Sequence, residues 1–235
     1  MSEALQMVLG VVVTLAVYWG ARRLYVRCGY FFLNPVLLSV AALIALLKLS
    51  GVSYAAYDRG GRLIGLLLGP AVVALGVPLY EELGRIAGGL KAILLSVTLG
   101  SAVGVLSAAG AAVALGASPE VTASIAPRSV TTPIAMGIAE KTGGLPPLAA
   151  ALVIATGILG AAAGPPLLRL VGVRGRVAFG LAMGAAAHGI GTARALEEGE
   201  AEGASAGLAM GLSGVITSLT VSFWLSILDG RLRLP

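Results

Sequence analysis

Long apolar runs fill most of this chain and leave it little surface that could face water. Of its 235 residues, 57% are hydrophobic and only 11% are charged, and the mean hydropathy is +0.96. A soluble domain carries roughly 25% charged residues. We therefore predict an all-α, multi-pass protein of the inner (plasma) membrane, because a helix satisfies its own backbone hydrogen bonds in lipid.

The predicted organisation is a single transmembrane domain over residues 1–235, because no long polar linker divides the chain. A first span and a basic loop occupy residues 1–29, a core occupies 30–228, and a short cytoplasmic tail occupies 229–235. About seven transmembrane helices are expected, over 4–19, 30–49, 63–80, 90–115, 147–170, 177–196 and 204–228.

Basic residues predict the orientation of these spans. If the segment over 119–140 enters the membrane and returns on the same side, ten of the sixteen basic residues fall in the cytoplasm. The arginines between 169 and 176 are then cytoplasmic, and the acidic loop 197–202 lies outside. We therefore expect seven spans plus one re-entrant or broken segment, with the N terminus outside.

The central stretch A-P-R-S-V-T-T-P-I-A-M, residues 126–136, should interrupt a helix. Pro127 and Pro133 each remove a backbone donor and collide with the preceding helical turn. Broken backbone at membrane depth persists only where it is buried in protein or lines a watery cavity. A binding site is therefore expected here, and its candidate substrate-binding residues are Arg128, Ser129, Thr131 and Thr132.

Arg128 is the residue of this stretch that most strongly indicates an anionic ligand. An arginine deep in hydrocarbon must be paired or must meet an anion, and its planar fork matches a carboxylate. The hydroxyls and the amides at a helix start add further donors. The alternative is structural: Arg128 reaches the interface or pairs with Glu120 or Glu140, while the hydroxyls cap helix ends.

His188 is the only histidine, and it shares a helical stripe with Gly180, Gly184 and Thr192. Glycines on that face predict close contact with another segment. His188 and Thr192 are therefore candidate substrate-binding residues, with the histidine handling a proton; the alternative is a packed histidine bonded to a neighbouring carbonyl. Gly189 and Gly191 are predicted to break the backbone. Arg194 either joins the site or pairs with the glutamates that follow it.

Two further predictions concern the first third of the chain. Asn34 either caps a helix that starts at Pro35 or faces the substrate route. Gly69, Pro70 and Pro78 should kink the third span. That broken stretch and the one at 126–136 are each followed by Gly-Gly-Leu and a span, which suggests an internal repeat or reflects a composition rich in Gly and Ala.

Several classes of function lack their sequence signals. One histidine, the single Cys28 and the absence of clustered carboxylates in the apolar runs provide no catalytic triad and no metal set, so neither an enzyme nor a cofactor is predicted. No phosphate-binding loop is present. The net charge of +5 is read as orientation signals beside apolar runs, and no nucleic acid is expected as a partner.

The sequence resembles the LrgB/CidB family of bacterial membrane proteins. The resemblance runs from Asn34-Pro35 through L-L-G-P-A-V-V-A-L-G-V-P-L-Y, A-P-R-S-V-T-T-P-I-A-M and V-I-A-T-G-I-L-G to A-H-G-I-G-T-A-R-A-L-E-E-G-E. The patterns P-[KR]-S-V-T-T-P and H-x-I-G-T-[AK]-x-A are its most specific parts. Arg128 stands where lysine is common in the family.

The resemblance implies two functions. One is holin-like or antiholin-like control of murein hydrolases and autolysis, with a small LrgA/CidA-type membrane partner. The other is transport of small monocarboxylates, since a plastid relative translocates glycolate and glycerate and bacterial members are linked to pyruvate uptake. An arginine between prolines suits a carrier better than a pore, so we predict a proton-coupled or exchange carrier. A homodimer is also expected.

Overall fold

The computed structural model describes residues 3–28, 33, 35–67, 70, 80 and 89–228. Within these ranges the ordered elements are helices, and no strand occurs. The chain divides into two compact units, Met1–Ala74 and Leu75–Pro235, which are described separately. An all-helical fold is thus confirmed for the described residues, whereas the single domain stays a prediction.

Nine helices lie in the described ranges. Three belong to the first unit: α1 (Glu3–Cys28), α2 (Pro35–Ser50) and α3 (Tyr54–Gly65). The second unit contains α4 (Leu90–Ala114), α5 (Pro119–Ile125), α6 (Thr132–Lys141), α7 (Pro146–Leu170), α8 (Arg176–Glu198) and α9 (Glu200–Leu228).

In the first unit, two glycines let α1 and α3 touch through their backbones. A methyl group placed on Gly60 would lie 2.6 Å from the Met7 carbonyl oxygen and 2.7 Å from the Gly10 Cα. Beside this contact, the hydroxyls of Thr14 and Tyr57 share a hydrogen bond of 2.8 Å. Small residues therefore set the distance between these two helices, as is common in membranes.

Four described helices are long and apolar enough to cross a bilayer: α1, α4, α7 and α9. Helix α2 is apolar but shorter. The predicted third span lies largely outside the described residues, so the expected number of seven is not confirmed. Helix α8, which was predicted to be a span, is long enough but is not among the four apolar helices.

Helix α8 is a hairpin that folds back on itself. Ala187 (φ −127°, ψ 15°) and His188 (φ 43°, ψ −133°) are non-helical and interrupt it. A straight helix of 23 residues would hold its ends roughly 34 Å apart. Here a methyl group on Gly199, just after the helix, would lie 2.8 Å from Nη2 of Arg176, its first residue. Both ends of α8 therefore lie at the same end of the unit.

The two halves of this hairpin pack on each other and on α9. Phe179 from the first half and Ala195 from the second belong to one apolar cluster. A side chain on Gly180 would collide with the Glu202 carbonyl, and one on Gly184 with the Ala206 carbonyl. The first half of α8 thus runs alongside the start of α9, in the same direction.

Helices α5 and α6 form a second segment that returns towards its starting side. The Ser124 hydroxyl, near the end of α5, accepts a hydrogen bond of 2.7 Å from the Leu145 amide, which follows α6. Gly144 packs against the same turn of α5. Residues 125–143 therefore leave the α5 helix and come back to it, so the α5–α6 segment does not cross.

The two returning segments enter from opposite ends of the second unit. Segment α5–α6 starts where α4 ends, and α7 then crosses to the other end, where Arg169 pairs with Glu198 at 2.7 Å. Arg176 likewise pairs with Glu202 at 2.9 Å. We call this end, with Arg169, Arg174 and Arg176, the basic end.

These ion pairs correct the predicted topology. The acidic loop 197–202 was expected on the opposite side of the membrane from the arginines of 169–176, because α8 was taken as a crossing span. Arg169 and Glu198 are instead in direct contact. The reason is that the reversal at His188 returns the chain to the basic end, where opposite charges neutralise each other.

Labelling from one side of the membrane tests this topology. In a Cys28→Ser background, cysteines introduced at Arg174 and Glu200 should react with an impermeant maleimide from one and the same side. Cysteines at Glu120 and Lys141, at the other end of the unit, should react from the opposite side. Reaction at Arg174 and Glu200 from different sides would restore α8 as a span.

Candidate functional site

The first part of the candidate site is the break between α5 and α6. Helix α5 ends at Ile125, and α6 begins at Thr132 with Thr131 as its N-cap residue. Pro127 is buried in the intervening turn and Pro133 lies in the first turn of α6. The interruption expected from the two prolines is therefore present. Arg128 and Ser129 lie in the turn between the two helices, and Thr131 and Thr132 lie at the start of α6.

Arg128 is half-buried at this break. Among the described residues, its guanidinium has neither a hydrogen-bond partner nor an ion-pair partner, and the expected alternatives Glu120 and Glu140 are exposed without reaching it. A partly desolvated guanidinium with five free donors favours an anion with two acceptor oxygens.

Other hydrogen-bond donors lie next to Arg128 along the chain. Ser129, Thr131 and Thr132 are half-buried, and Thr131 makes no side-chain cap bond to α6. The amides of Thr132 and Ile134 are the first donors of α6 and have no acceptor in the described part of the chain. Hydroxyls, amides without an acceptor and the positive end of a helix dipole thus follow Arg128 within six residues, and donors of this kind suit a carboxylate.

The break lies deep within the unit. The Ser129 hydroxyl packs against Gly104, where a methyl group on the glycine would lie 3.5 Å from the oxygen. Gly104 is near the middle of α4, roughly 15 Å from its last residue at 1.5 Å per residue. That distance is about half of a hydrocarbon core, so the cluster lies near mid-membrane.

The second part of the candidate site is the tip of the α8 hairpin, formed by His188. The ring is 5% exposed, and its Nε2 lies 3.0 Å from the Val153 carbonyl oxygen of α7. Because a carbonyl only accepts, Nε2 carries the hydrogen and Nδ1 is left to exchange a proton. His188 is thus packed and bonded to a neighbouring carbonyl, and its role in handling a proton stays a prediction.

The backbone of His188 is strained. Its φ of 43° is the only positive value at a non-glycine residue in the described chain, and such a conformation costs about 1–3 kcal/mol. The break was predicted at Gly189 and Gly191, but it lies just before them, at Ala187 and His188. Gly191 is needed for another reason: a side chain there would collide with the Met183 carbonyl of the opposite half.

Thr192 and Arg194 have partners within the protein. The Thr192 hydroxyl, 1% exposed, donates to the His188 carbonyl at 2.8 Å. Arg194 pairs with Glu198 at 2.6 Å and with Glu197 at 3.5 Å. Thr192 therefore supports the hairpin tip, and Arg194 belongs to the ion pairs of the basic end.

A glycine face on α7 receives the hairpin tip. Methyl groups on Gly157, Gly160 and Gly164 would collide with His188, Ala187 and Met183 respectively. Since these glycines follow one another along α7, they form a groove in which the reversal of α8 lies. The sequence alone did not connect these glycines to His188.

The two parts of the site meet through α7 and α9. Val153, whose carbonyl binds His188, packs in one apolar cluster with Ala126 and Val130 from the α5–α6 break. On α9, Met210 lies beside Thr192, and Gly214, one turn later, lies against Ile134 of α6. No described hydrogen bond joins Arg128 to His188 directly.

The remaining predicted residues belong to the first unit or to undescribed positions. Asn34, Gly69 and Pro78 lie outside the described residues, and Pro70 is exposed. A cleft of about 310 Å³ at the basic end is lined by Arg169, Arg174, Arg176 and their glutamate partners, away from the candidate site. In the described residues, no group of three His, Cys, Asp or Glu side chains could hold a metal ion.

Replacing His188 tests whether its backbone is strained. His188→Gly and His188→Ala both lose the bond to Val153, but glycine adopts positive φ without a steric cost. We expect the glycine variant to be more stable than the alanine variant by about 1 kcal/mol, measured by unfolding in detergent. At the exposed helical position Ala186, the change to glycine should instead destabilise. An alanine variant at 188 more stable than the glycine variant would contradict the strain.

Comparison with known proteins identifies a matching family and similar bacterial proteins. A family model described as the LrgB-like family matches residues 14–227. The chain is 36% identical to protein YwbG of Bacillus subtilis, covering 92% of this chain and 96% of the relative. It is 33% identical to the holin-like protein CidB of Staphylococcus epidermidis, covering 94% and 96%. No solved structure matches.

Proposed function

Since this chain belongs to the LrgB-like family, and is an integral membrane protein by its four apolar helices, we propose that it carries small monocarboxylates across the inner membrane. The substrates are of the glycolate, glycerate or pyruvate type. Transport is coupled to protons or occurs by exchange.

The observation that carries this proposal is the guanidinium of Arg128, which has no partner among the described residues and lies at a broken helix near mid-membrane. A buried or half-buried cation costs free energy unless an anion meets it. The substrate carboxylate supplies the missing partner in a bidentate contact, while Ser129, Thr131 and Thr132 orient it. A protein that only forms a pore by assembling spans has no use for this arrangement.

The two returning segments support a carrier as well. Broken or returning elements that enter from opposite sides and meet near the midplane are typical of secondary transporters. Here α4 followed by α5–α6, and α7 followed by the α8 hairpin, run in opposite directions through the second unit. Each tip lies on the path between the ends of the unit, so movement of either tip opens the site to one side.

His188 supplies the proton in the coupled version of this mechanism. Nδ1 takes up a proton while Nε2 remains bonded to the Val153 carbonyl. The positive charge that results lies at the hairpin tip, where a carboxylate at the Arg128 cluster attracts it. In the exchange version, His188 stays neutral and only shapes the tip.

Orientation follows from the basic residues. The basic end carries four arginines, including Arg194, and Lys91 lies at the start of α4 on the same side. We place this end in the cytoplasm by the positive-inside rule. The homodimer expected from the glycine-rich faces is a further part of the proposal.

Uptake into proteoliposomes tests the function. Purified protein should take up labelled glycolate, glycerate or pyruvate with saturation, and unlabelled substrate should compete. A larger neutral dye trapped in the same vesicles should be retained. Release of the dye without saturable uptake would contradict a carrier.

The second candidate is holin-like or antiholin-like control of murein hydrolases and autolysis. It is favoured by the similarity to relatives named holin-like protein CidB, and it includes a small LrgA/CidA-type membrane partner. Dye release from vesicles that requires such a partner would support it. Autolysis control follows equally as a consequence of carboxylate transport, so both effects are compatible in cells.

A further inference from the structure

Ser101 on α4 is a buried polar group that the candidate site leaves unexplained. Its side chain is 5% exposed. Its Oγ is the one buried side-chain oxygen or nitrogen without a hydrogen-bond partner in the described chain. Other buried serines donate to a carbonyl one turn earlier, as Ser205 does to Ala201 at 2.6 Å. An unsatisfied buried hydroxyl costs about 1–3 kcal/mol, so a partner from outside the chain is indicated.

Ser101 lies on α4 between two of the apolar clusters of the second unit. Towards the basic end, Ile93 and Val97 of α4 pack with Leu181 and Ala185 of the α8 hairpin and with α9. Towards the other end, Val105 of α4 packs with the α5–α6 break. Ser101 is one turn from Val97 and one turn from Val105, on the same face of α4.

This face therefore runs from the α8 hairpin to the α5–α6 break, with Ser101 between them. Gly104, three residues further along α4, is the residue against which the Ser129 hydroxyl packs. The rise from Ser101 to Gly104 is about 4.5 Å. Along α4, Ser101 therefore lies within one helical turn of the residue that contacts the α5–α6 break, which contains Arg128.

We propose that Ser101 is a specificity-determining residue that hydrogen-bonds the oxygen on C2 of a bound 2-hydroxy or 2-oxo acid. This inference rests on the proposed carrier function and adds to it the residue that distinguishes these acids from plain carboxylates. The hydroxyl donates to either a hydroxyl or a keto oxygen, so it favours these acids over a plain carboxylate of the same length. Arg128 binds the carboxylate, which both kinds of acid share.

Binding of glycolate and acetate to purified protein and to the Ser101→Ala variant tests the inference. Wild type should bind glycolate about tenfold more tightly than acetate, the size of one hydrogen bond. Ser101→Ala should lose this preference through weaker glycolate binding, with acetate binding unchanged. The matched control is Ser107→Ala, at an exposed serine of the same helix whose hydroxyl bonds the Gly104 carbonyl.

The outcomes separate this inference from the carrier function. An unchanged preference in Ser101→Ala, with saturable uptake retained, overturns the role of Ser101 and leaves the carrier. Equal binding of both acids to wild type also overturns it. If wild type neither binds nor transports any carboxylate, both proposals fail. Ser101→Cys gives a second readout: glycolate should slow its reaction with a thiol reagent in a Cys28→Ser background, and a rate unaffected by glycolate counts against the contact.

Discussion

Arg128→Ala should strongly reduce saturable carboxylate uptake into proteoliposomes while the protein remains folded. The guanidinium has no partner in the described protein, so its removal breaks no internal ion pair and relieves a desolvation cost. A hydrogen bond to a charged group contributes about 1.5–3 kcal/mol, which corresponds to a loss of about ten- to a hundredfold in uptake at low substrate concentration.

Two further variants make the Arg128 result specific. Arg128→Lys keeps the charge but loses the bidentate fork, and lysine is the residue that the family resemblance gives for this position, so partial uptake is expected. Lys141→Ala removes an exposed positive charge from the last turn of α6 and should transport like wild type. Uptake by Arg128→Ala at the wild-type level would place the carboxylate elsewhere.

Local sequence signals were sufficient to predict the first break and the nature of its residues. Proline acts on the backbone within one helical turn, so Pro127 and Pro133 interrupt the helix whatever surrounds them. The absence of a partner for Arg128 could not be read from the sequence. Glu120 and Glu140 are near in sequence, but the returning path of α5 and α6 leaves both exposed at distances that no ion pair bridges.

The reversal of α8 was missed because Gly189 and Gly191 predicted a break in the backbone near this point but not a change of direction. Its strained residues are Ala187 and His188, neither of which favours a turn, and the adjacent glycines remain helical. What holds the reversal is tertiary: the groove of glycines on α7, the contact of Gly191 with Met183 and the ion pairs at the basic end. The complementary charges of Arg169 and Arg176 with Glu198 and Glu202 were visible in the sequence, and pairing them would have predicted the hairpin.

The significance of Ser101 also could not be predicted from the sequence. A serine in a glycine- and alanine-rich span carries no sequence signal, because most such hydroxyls bond to their own helix. Its significance appears only when its oxygen lacks a partner and when its neighbours on α4 pack against two different returning segments. The proposed function and substrate preference thus both depend on polar groups that have no partner in the described part of the chain.

The packing of α8 on α9 leads to the largest expected effect on stability. In Gly184→Ala the new methyl group would overlap the backbone carbonyl of Ala206. A backbone group has no alternative rotamer, so the two helices must separate, and with them the hairpin that holds His188. Overpacking costs about 1–3 kcal/mol, and at a backbone contact we expect the upper end of this range or failure to fold.

Gly211→Ala on α9 is the matched control for this change. No atom lies within 4 Å of a methyl group placed there, so the substitution should be neutral or stabilise the helix by up to about 1 kcal/mol. Unfolding of the two variants in detergent, followed by helical circular dichroism, measures the difference. If Gly184→Ala unfolds at the same point as Gly211→Ala, α8 and α9 do not pack as closely as described, and the reversal at His188 loses its main support.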